Sequence, residues 1–311
     1  VTKNNLQAVL RRWRDRSRSV SAGKSPQLAV SEVSPASPPE RDCYWGEQID
    51  VSSFRGRENE LQQLEEWLND NSEVNSLESR CRLISIVGMG GMGKTSLAAK
   101  LTQKLADKSQ SLDSNSALAV DRNFAWIVWQ SLRNAPPLDK VLCQLIAIVS
   151  SQQQTEPADT VDAQISQLMA YLQTTRCLIV FDNFESILSH GSYREGYVGY
   201  SELLRRIATE HHASCLLLTS REKPRTLIPL EGESGAVCTL DLLGLSEIEV
   251  AEIGTTNGCH TANSSDWHQL KQSYSGNPLA IKIAATTIRD LFDGNVNAFL
   301  EQGVTLCDGI E

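Results

Sequence analysis

The chain has 311 residues, 41% of them hydrophobic, and a formal net charge of −9. Its apolar content suffices for one large or two ordinary domains, and its acidity argues against a surface built as a whole for nucleic acid or anionic membrane. No run of about 18 apolar residues is present and no apolar stretch follows the N-terminal charges, so neither a transmembrane helix nor a secretory signal is expected. Residues 1–19 read as a helix with a basic end: Leu6, Val9, Leu10 and Trp13 form a partial apolar face, and Arg11, Arg12, Arg14, Arg16 and Arg18 follow. The plain reading of that charge run is the solvated remnant of a preceding domain, and a nucleic-acid-contacting arm is the sharper one. Val1 in place of methionine points to a piece of a longer chain. Residues 20–50, rich in Ser, Pro and Ala, cannot bury enough apolar surface to order themselves and are expected to be a linker.

An ordered domain is expected over residues 51–245. Its first helix carries Leu61, Leu64, Trp67 and Leu68 on one face. Apolar, β-branched runs at 82–87, 124–129, 177–181, 214–220 and 237–242 have strand length, and helical stripes lie between them at 97–105, 138–146, 161–173 and 201–210. Residues 189–200 read as loop. Buried strands alternating with helices predict an α/β fold, a mostly parallel sheet covered on both faces. From about Ser246 only helices are expected, with Pro278 at the first position of one of them; residues 246–311 form a smaller helical domain in this reading.

The strongest chemical signal is Gly88-Met89-Gly90-Gly91-Met92-Gly93-Lys94-Thr95, which fits Gly-x4-Gly-Lys-Thr between a strand and a helix beginning near Ser96. That order aims backbone N–H groups and a helix N-terminus at a polyphosphate, and the glycines at 88, 90, 91 and 93 let backbone approach oxygen closely. Lys94 is expected to span the β- and γ-phosphates and the Thr95 hydroxyl to ligate Mg²⁺. Asp182 ends a buried strand, where an open α/β sheet places its ligand groups, and can hold the same Mg²⁺ opposite Thr95. Arg221 ends the next strand and can reach a γ-phosphate. The eight cysteines show no Cys-x-x-Cys pair, so reduced thiols and a cytoplasmic protein are expected. The scattered histidines give no reason to assign a structural metal.

Five motifs in order resemble the NB-ARC branch of the signal-transduction ATPases with numerous domains (STAND), within the P-loop NTPases. They are Phe54-Arg55-Gly56-Arg57-Glu58-Asn59-Glu60, the loop at 88–95, Leu178-Ile179-Val180-Phe181-Asp182, Thr219-Ser220-Arg221 and Gly276-Asn277-Pro278-Leu279-Ala280. The opening around Trp45 and Phe54 is most similar to bacterial, especially cyanobacterial, members, which often carry WD or tetratricopeptide repeats further along. The resemblance implies that Phe54, Arg55 and Arg57 line an adenine pocket, partly through backbone. It also implies that Gly88, Gly90, Gly91, Met92, Gly93, Lys94, Thr95 and Ser96 hold the phosphates, and that Pro278 closes over the base. It further implies a winged-helix domain beyond Glu311, carrying a His that senses the ADP β-phosphate. Where relatives have a second acid, this chain has Asn183, which cannot take a proton from water, leaving Glu185 as the substitute base. Catalytic roles, if hydrolysis occurs, fall to Asp182, Glu185 and Arg221. The function implied is an ADP/ATP-binding regulatory switch with slow hydrolysis, and the rival is an active ATPase of motor or loader type. Expected partners are the nucleotide and, through domains outside this chain, other proteins or further copies; nucleic acid enters only through residues 1–19 or a preceding domain, and no membrane is involved.

Overall fold

Six strands build the main sheet of the computed structural model: β1 (Asp42–Trp45), β2 (Leu83–Val87), β3 (Trp126–Ser131), β4 (Cys177–Asp182), β7 (Cys215–Ser220) and β8 (Val237–Asp241). All pair in parallel, in the order β1-β3-β4-β7-β2-β8. The structure describes residues 42–45, 49–52, 54–68, 81–111, 124–150, 156–232, 235–260 and 262–302. The basic helix predicted at 1–19 and residues 20–41 of the predicted linker lie outside them. Two-residue strands β5 (Leu188–Ser189) and β6 (Ser192–Tyr193) form a hairpin within the segment read as loop.

Strand β1 differs from the sequence reading, which placed residues 42–45 in the linker. It pairs with β3 in register from Asp42↔Trp126 to Trp45↔Trp129. An edge strand has one neighbour and no need of a continuous apolar run, so Asp-Cys-Tyr-Trp gives none of the signal that marks the buried strands.

Alternate residues of each strand serve opposite faces, as the twofold pleat requires. Ile179 and Phe181 of β4 and Leu216 and Leu218 of β7 pack with helices α3 (Leu138–Val149), α4 (Val161–Thr174) and α5 (Gly199–Thr209). Leu178, Val180 and Leu217, from the same strands, turn to α1 (Glu58–Leu68) and α2 (Lys94–Ser111) on the other face. Truncating such a fully buried leucine to alanine costs about 2–5 kcal/mol.

A third core belongs to helices α6 (Glu247–Thr256), α7 (Ser264–Ser273), α8 (Pro278–Leu291) and α9 (Val296–Glu301), with Val250, Leu270, Ile281, Ile288 and Phe299 buried. Short-range chemistry starts each helix. Ser246 with Glu249, and Asn263 with Asp266, form capping boxes, while Asn277 and Asn295 accept from the first-turn amides of α8 and α9.

The topology gathers the functional strand ends on one edge. Strand β2 lies between β7 and β8, and β7 lies between β2 and β4. Gly88 N–H donates to Ser220 O at 3.2 Å on one side, and Leu242 N–H donates to Val87 O at 2.7 Å on the other. A Cβ on Gly88 would stand 2.7 Å from Leu242 O. Among the described residues, no helix is long and apolar enough to cross a membrane.

Candidate functional site

The glycine loop leaves β2 and runs into α2. Gly91 (φ +78°) and Gly93 (φ +88°) occupy the left-handed region that side chains disfavour. Its carbonyls are tied to side chains one after another. The buried Lys94 Nζ donates to Gly88 O at 2.7 Å and Met89 O at 2.9 Å, and Asn277 Nδ2 donates to Gly90 O at 2.8 Å. An ammonium has three donors, so Lys94 keeps one for a ligand. Burial depresses the Lys94 pKa; Glu185 opposes that shift, Arg221 adds to it and Asp182 opposes it. The first turn of α2 holds no acidic residue, leaving its positive end for an anion.

Across the edge, Asp182 Oδ1 accepts from Thr95 Oγ1 at 2.7 Å and from Thr219 Oγ1 at 2.6 Å. Burial raises the Asp182 pKa, the hydrogen bonds from Thr219 and Thr95 pull it down, and the charge of Glu185 adds to the rise. Thr95 and Asp182 thus reach one point, as ligands of one cation must. No cluster of three or more His, Cys, Asp or Glu side chains suited to a metal occurs among the described residues. A cation held by one carboxylate and one hydroxyl, completed by phosphate and water oxygens, suits Mg²⁺.

Asn183 takes a left-handed conformation (φ +60°), tolerated by asparagine, and leads into the 3₁₀ turn Phe184–Ile187. Its backbone N–H donates to Thr219 Oγ1 at 3.1 Å, and its Nδ2 to Glu185 Oε1 at 3.4 Å. Glu185 also accepts from the Arg221 backbone N–H at 3.3 Å and pairs with its guanidinium at 3.5 Å. Arg221 Cζ stands 3.2 Å from where a Gly90 Cβ would be, so this half-exposed guanidinium lies against the loop.

Most of these groups line a cavity of about 620 Å³. Phe54, Arg55, Arg57, Gly90, Gly91, Met92, Gly93, Lys94, Thr95, Ser96, Glu185, Arg221 and Pro278 all border it. Among the sequence candidates, Gly88 and Asp182 stand behind this lining, and both touch it through Lys94 and Thr95. Arg57 has a second occupation. Its buried guanidinium donates to Glu60 Oε1 and Leu243 O, each at 2.6 Å, and its backbone N–H donates to Glu249 Oε1 at 2.7 Å. Leu245, Ile253, Thr256, Asn257, Leu279 and Lys282 border the cavity from the helical side; of these, only Leu279 was named from sequence, within the motif at 276–280 and without a role at the cavity. Asn277 and Thr219 lay inside recognised motifs without a role; the only local sign at Asn277 is a cap residue before a first-turn proline.

Comparison with known proteins fits this geometry. The model of the NB-ARC domain matches residues 57–223. An uncharacterised WD repeat-containing protein of the cyanobacterium Nostoc sp. is 43% identical over 273 residues, covering 86% of this chain. The chain spans only 20% of that relative's length. A STAND protein with a tetratricopeptide repeat sensor from Pyrococcus horikoshii is similar with a TM-score of 0.50 and 17% identity, over 81% of this chain and 32% of that one. The ORC2 protein of Aeropyrum pernix, solved as ADPNP–ADP complexes, gives a TM-score of 0.51 and 16% identity, over 82% of this chain and 69% of that one. These structures share the P-loop NTPase fold. Because the family match covers more than half of the chain and takes in the glycine loop, Asp182 and Arg221, the chain belongs to the NB-ARC domain family.

Proposed function

We propose that this chain is an ADP/ATP-dependent regulatory switch whose hydrolysis, where it occurs, is slow. One observation carries the reading. The cavity is walled on one side by the glycine loop and on the other by Ile253, Thr256, Asn257 and Pro278 of a separately packed helical core. A nucleotide held there touches both cores at once, so it biases how they sit against each other. Phe54 and Arg55 on one side and Pro278 on the other would enclose the base. Lys94 and Arg221 supply the difference between the two nucleotides, because only a triphosphate offers a third phosphoryl group to both. Mg²⁺, held by Thr95 and Asp182, would neutralise charge across the β- and γ-phosphates. Signalling partners or further copies would act through domains outside this chain. The WD repeats and tetratricopeptide sensor named for two of its relatives support that arrangement, and a cytoplasmic setting suits it.

Glu185 favours a second reading. Its carboxylate borders the cavity where Asn183 cannot serve as a base, which leaves room for a working ATPase. Identifying the nucleotide released on denaturing the purified chain tests the switch: ADP supports it, and an empty site counts against it. Steady-state phosphate release well above about one per minute per chain favours the ATPase. Lys94→Ala is expected to abolish ADP binding in calorimetry; unchanged affinity would refute the site itself.

A further inference from the structure

We infer that Asn277 is a positioning residue that couples the phosphate-binding loop to the helical segment: its amide nitrogen sets the Gly90–Gly91 peptide while its amide oxygen caps α8. The inference rests on the nucleotide-binding reading and extends it to how the two walls are joined.

The geometry leaves Asn277 one orientation. Its Oδ1 accepts from Leu279 N–H at 3.0 Å and Ala280 N–H at 3.3 Å, the first amides of α8. Only the oxygen of a carboxamide accepts, so the cap turns the nitrogen outward, and there Nδ2 donates to Gly90 O at 2.8 Å. The residue is 8% exposed, so water does not compete freely for either end. Its backbone cannot drift. Gly276 O accepts from Leu245 N–H at 2.8 Å, and a Cβ on Gly276 would meet Leu245 backbone atoms at 2.7 Å.

The consequence for the loop follows from peptide planarity. The Gly90 carbonyl and the Gly91 N–H point in opposite directions across one planar unit, so holding the carbonyl toward Asn277 also sets the direction of the amide. With the carbonyls of Gly88 and Met89 already occupied by Lys94, the bond from Asn277 ties the third in succession. The packing is close on this side: a Cβ on Gly91 would stand 2.8 Å from Asn277 Oδ1. A cap alone does not require asparagine, since Asp and Ser cap equally well. The bond to a carbonyl does require a donor, and Asp has none when ionised.

Asn277→Asp separates the two roles, because it keeps the cap and turns an acceptor toward Gly90 O. In the full chain, release of a fluorescent ADP analogue followed by stopped flow is expected to accelerate about tenfold, the loss of one buried hydrogen bond with its partner left unpaired. Hydrogen exchange in the nucleotide-free chain should show faster exchange of the Met92 amide, which donates to Met89 O within the loop, while Leu279 and Ala280 stay protected. Asn277→Ser, neutral and too short to reach the loop, should give the same pattern with a smaller effect and serves should the carboxylate prevent folding. Wild-type release rates and wild-type loop exchange in both variants would overturn the inference. So would loss of protection at Leu279 and Ala280 in step with the loop, which would make Asn277 a helix cap alone. Wild-type chain that binds no ADP would refute the nucleotide reading instead, and loop exchange in the nucleotide-free variants would still decide the coupling.

Discussion

Replacing Arg57 separates what its side chain holds from what its backbone costs. The guanidinium donates to Glu60 Oε1 and to Leu243 O at 2.6 Å each, with its side chain 5% exposed and that of Glu60 24% exposed. Charge-assisted hydrogen bonds contribute about 1.5–3 kcal/mol each. Glu60 and the carbonyl beside the exposed Leu243 side chain can both return to water, so the low end applies and Arg57→Ala should cost about 3 kcal/mol. The backbone at 57 has φ +69°, where a β-carbon is strained by about 1 kcal/mol or more. Alanine keeps that strain and glycine removes it. After glycine's larger unfolded-state entropy, Arg57→Gly should be more stable than Arg57→Ala by about 0.5–1 kcal/mol. Urea unfolding of the three proteins, with equal slopes, measures both differences. Glycine no better than alanine would refute the strain argument, and alanine within about 0.5 kcal/mol of wild type would refute the clamp.

Asp182→Asn should raise the melting temperature of the nucleotide-free chain in EDTA. Burial lifts the carboxyl pKa above its unfolded value of 3.8, so its charge opposes folding at neutral pH, and the amide oxygen can still accept from Thr95 and Thr219. The same variant should lose the Mg²⁺ dependence of ATP affinity, and a lower melting temperature would contradict the assignment. His212, buried with Nε2 2.9 Å from Ile207 O, has its pKa depressed below 6.5, chiefly by burial. The unfolded chain therefore binds the proton first, and stability should fall as pH drops below 6.5 toward the folded value, by at most about 1.4 kcal/mol per pH unit from this group. His212→Gln should flatten that slope in denaturation curves between pH 7 and 5, and an unchanged slope would count against the assignment. Glu185→Gln should leave ATP binding intact and slow any phosphate release by about a hundredfold if Glu185 is the base; release at the wild-type rate would remove it from that role.

What could be read in the chain beforehand follows from how local each feature is. Strands β2, β4 and β7 announce themselves because burial on both faces demands unbroken apolar runs, and the glycine loop because phosphate binding needs its residues in one contiguous stretch. Strand β1 had no such constraint at the sheet edge and hid in a Ser/Pro-rich region. Thr219 and Asp182 are 37 positions apart, and their hydrogen bond exists only because β7 lies beside β4. Asn277 could be read as a cap, a matter of three residues, but its bond to Gly90 crosses 187 positions. Arg57 was assigned to the base pocket by resemblance, and it does border the cavity; its guanidinium, however, is engaged elsewhere, by a carbonyl at position 243 that no local pattern indicates.

The pairing of Val87 with Leu242 sets a dimension as well as a contact. The glycine loop and the root of the helical core depart from neighbouring strands at almost the same rung, with Leu242 N–H on Val87 O. The few residues from Leu242 to Ser246 therefore act as a ruler between the phosphate wall and the wall formed by α6. One residue inserted there in extended form would displace Ile253 and Thr256 by about 3.3 Å, roughly the thickness of an aromatic base. The length of this connection therefore sets the spacing between the two walls of the cavity, and Gly244 within it leaves no room for a side chain against the Ser275 carbonyl.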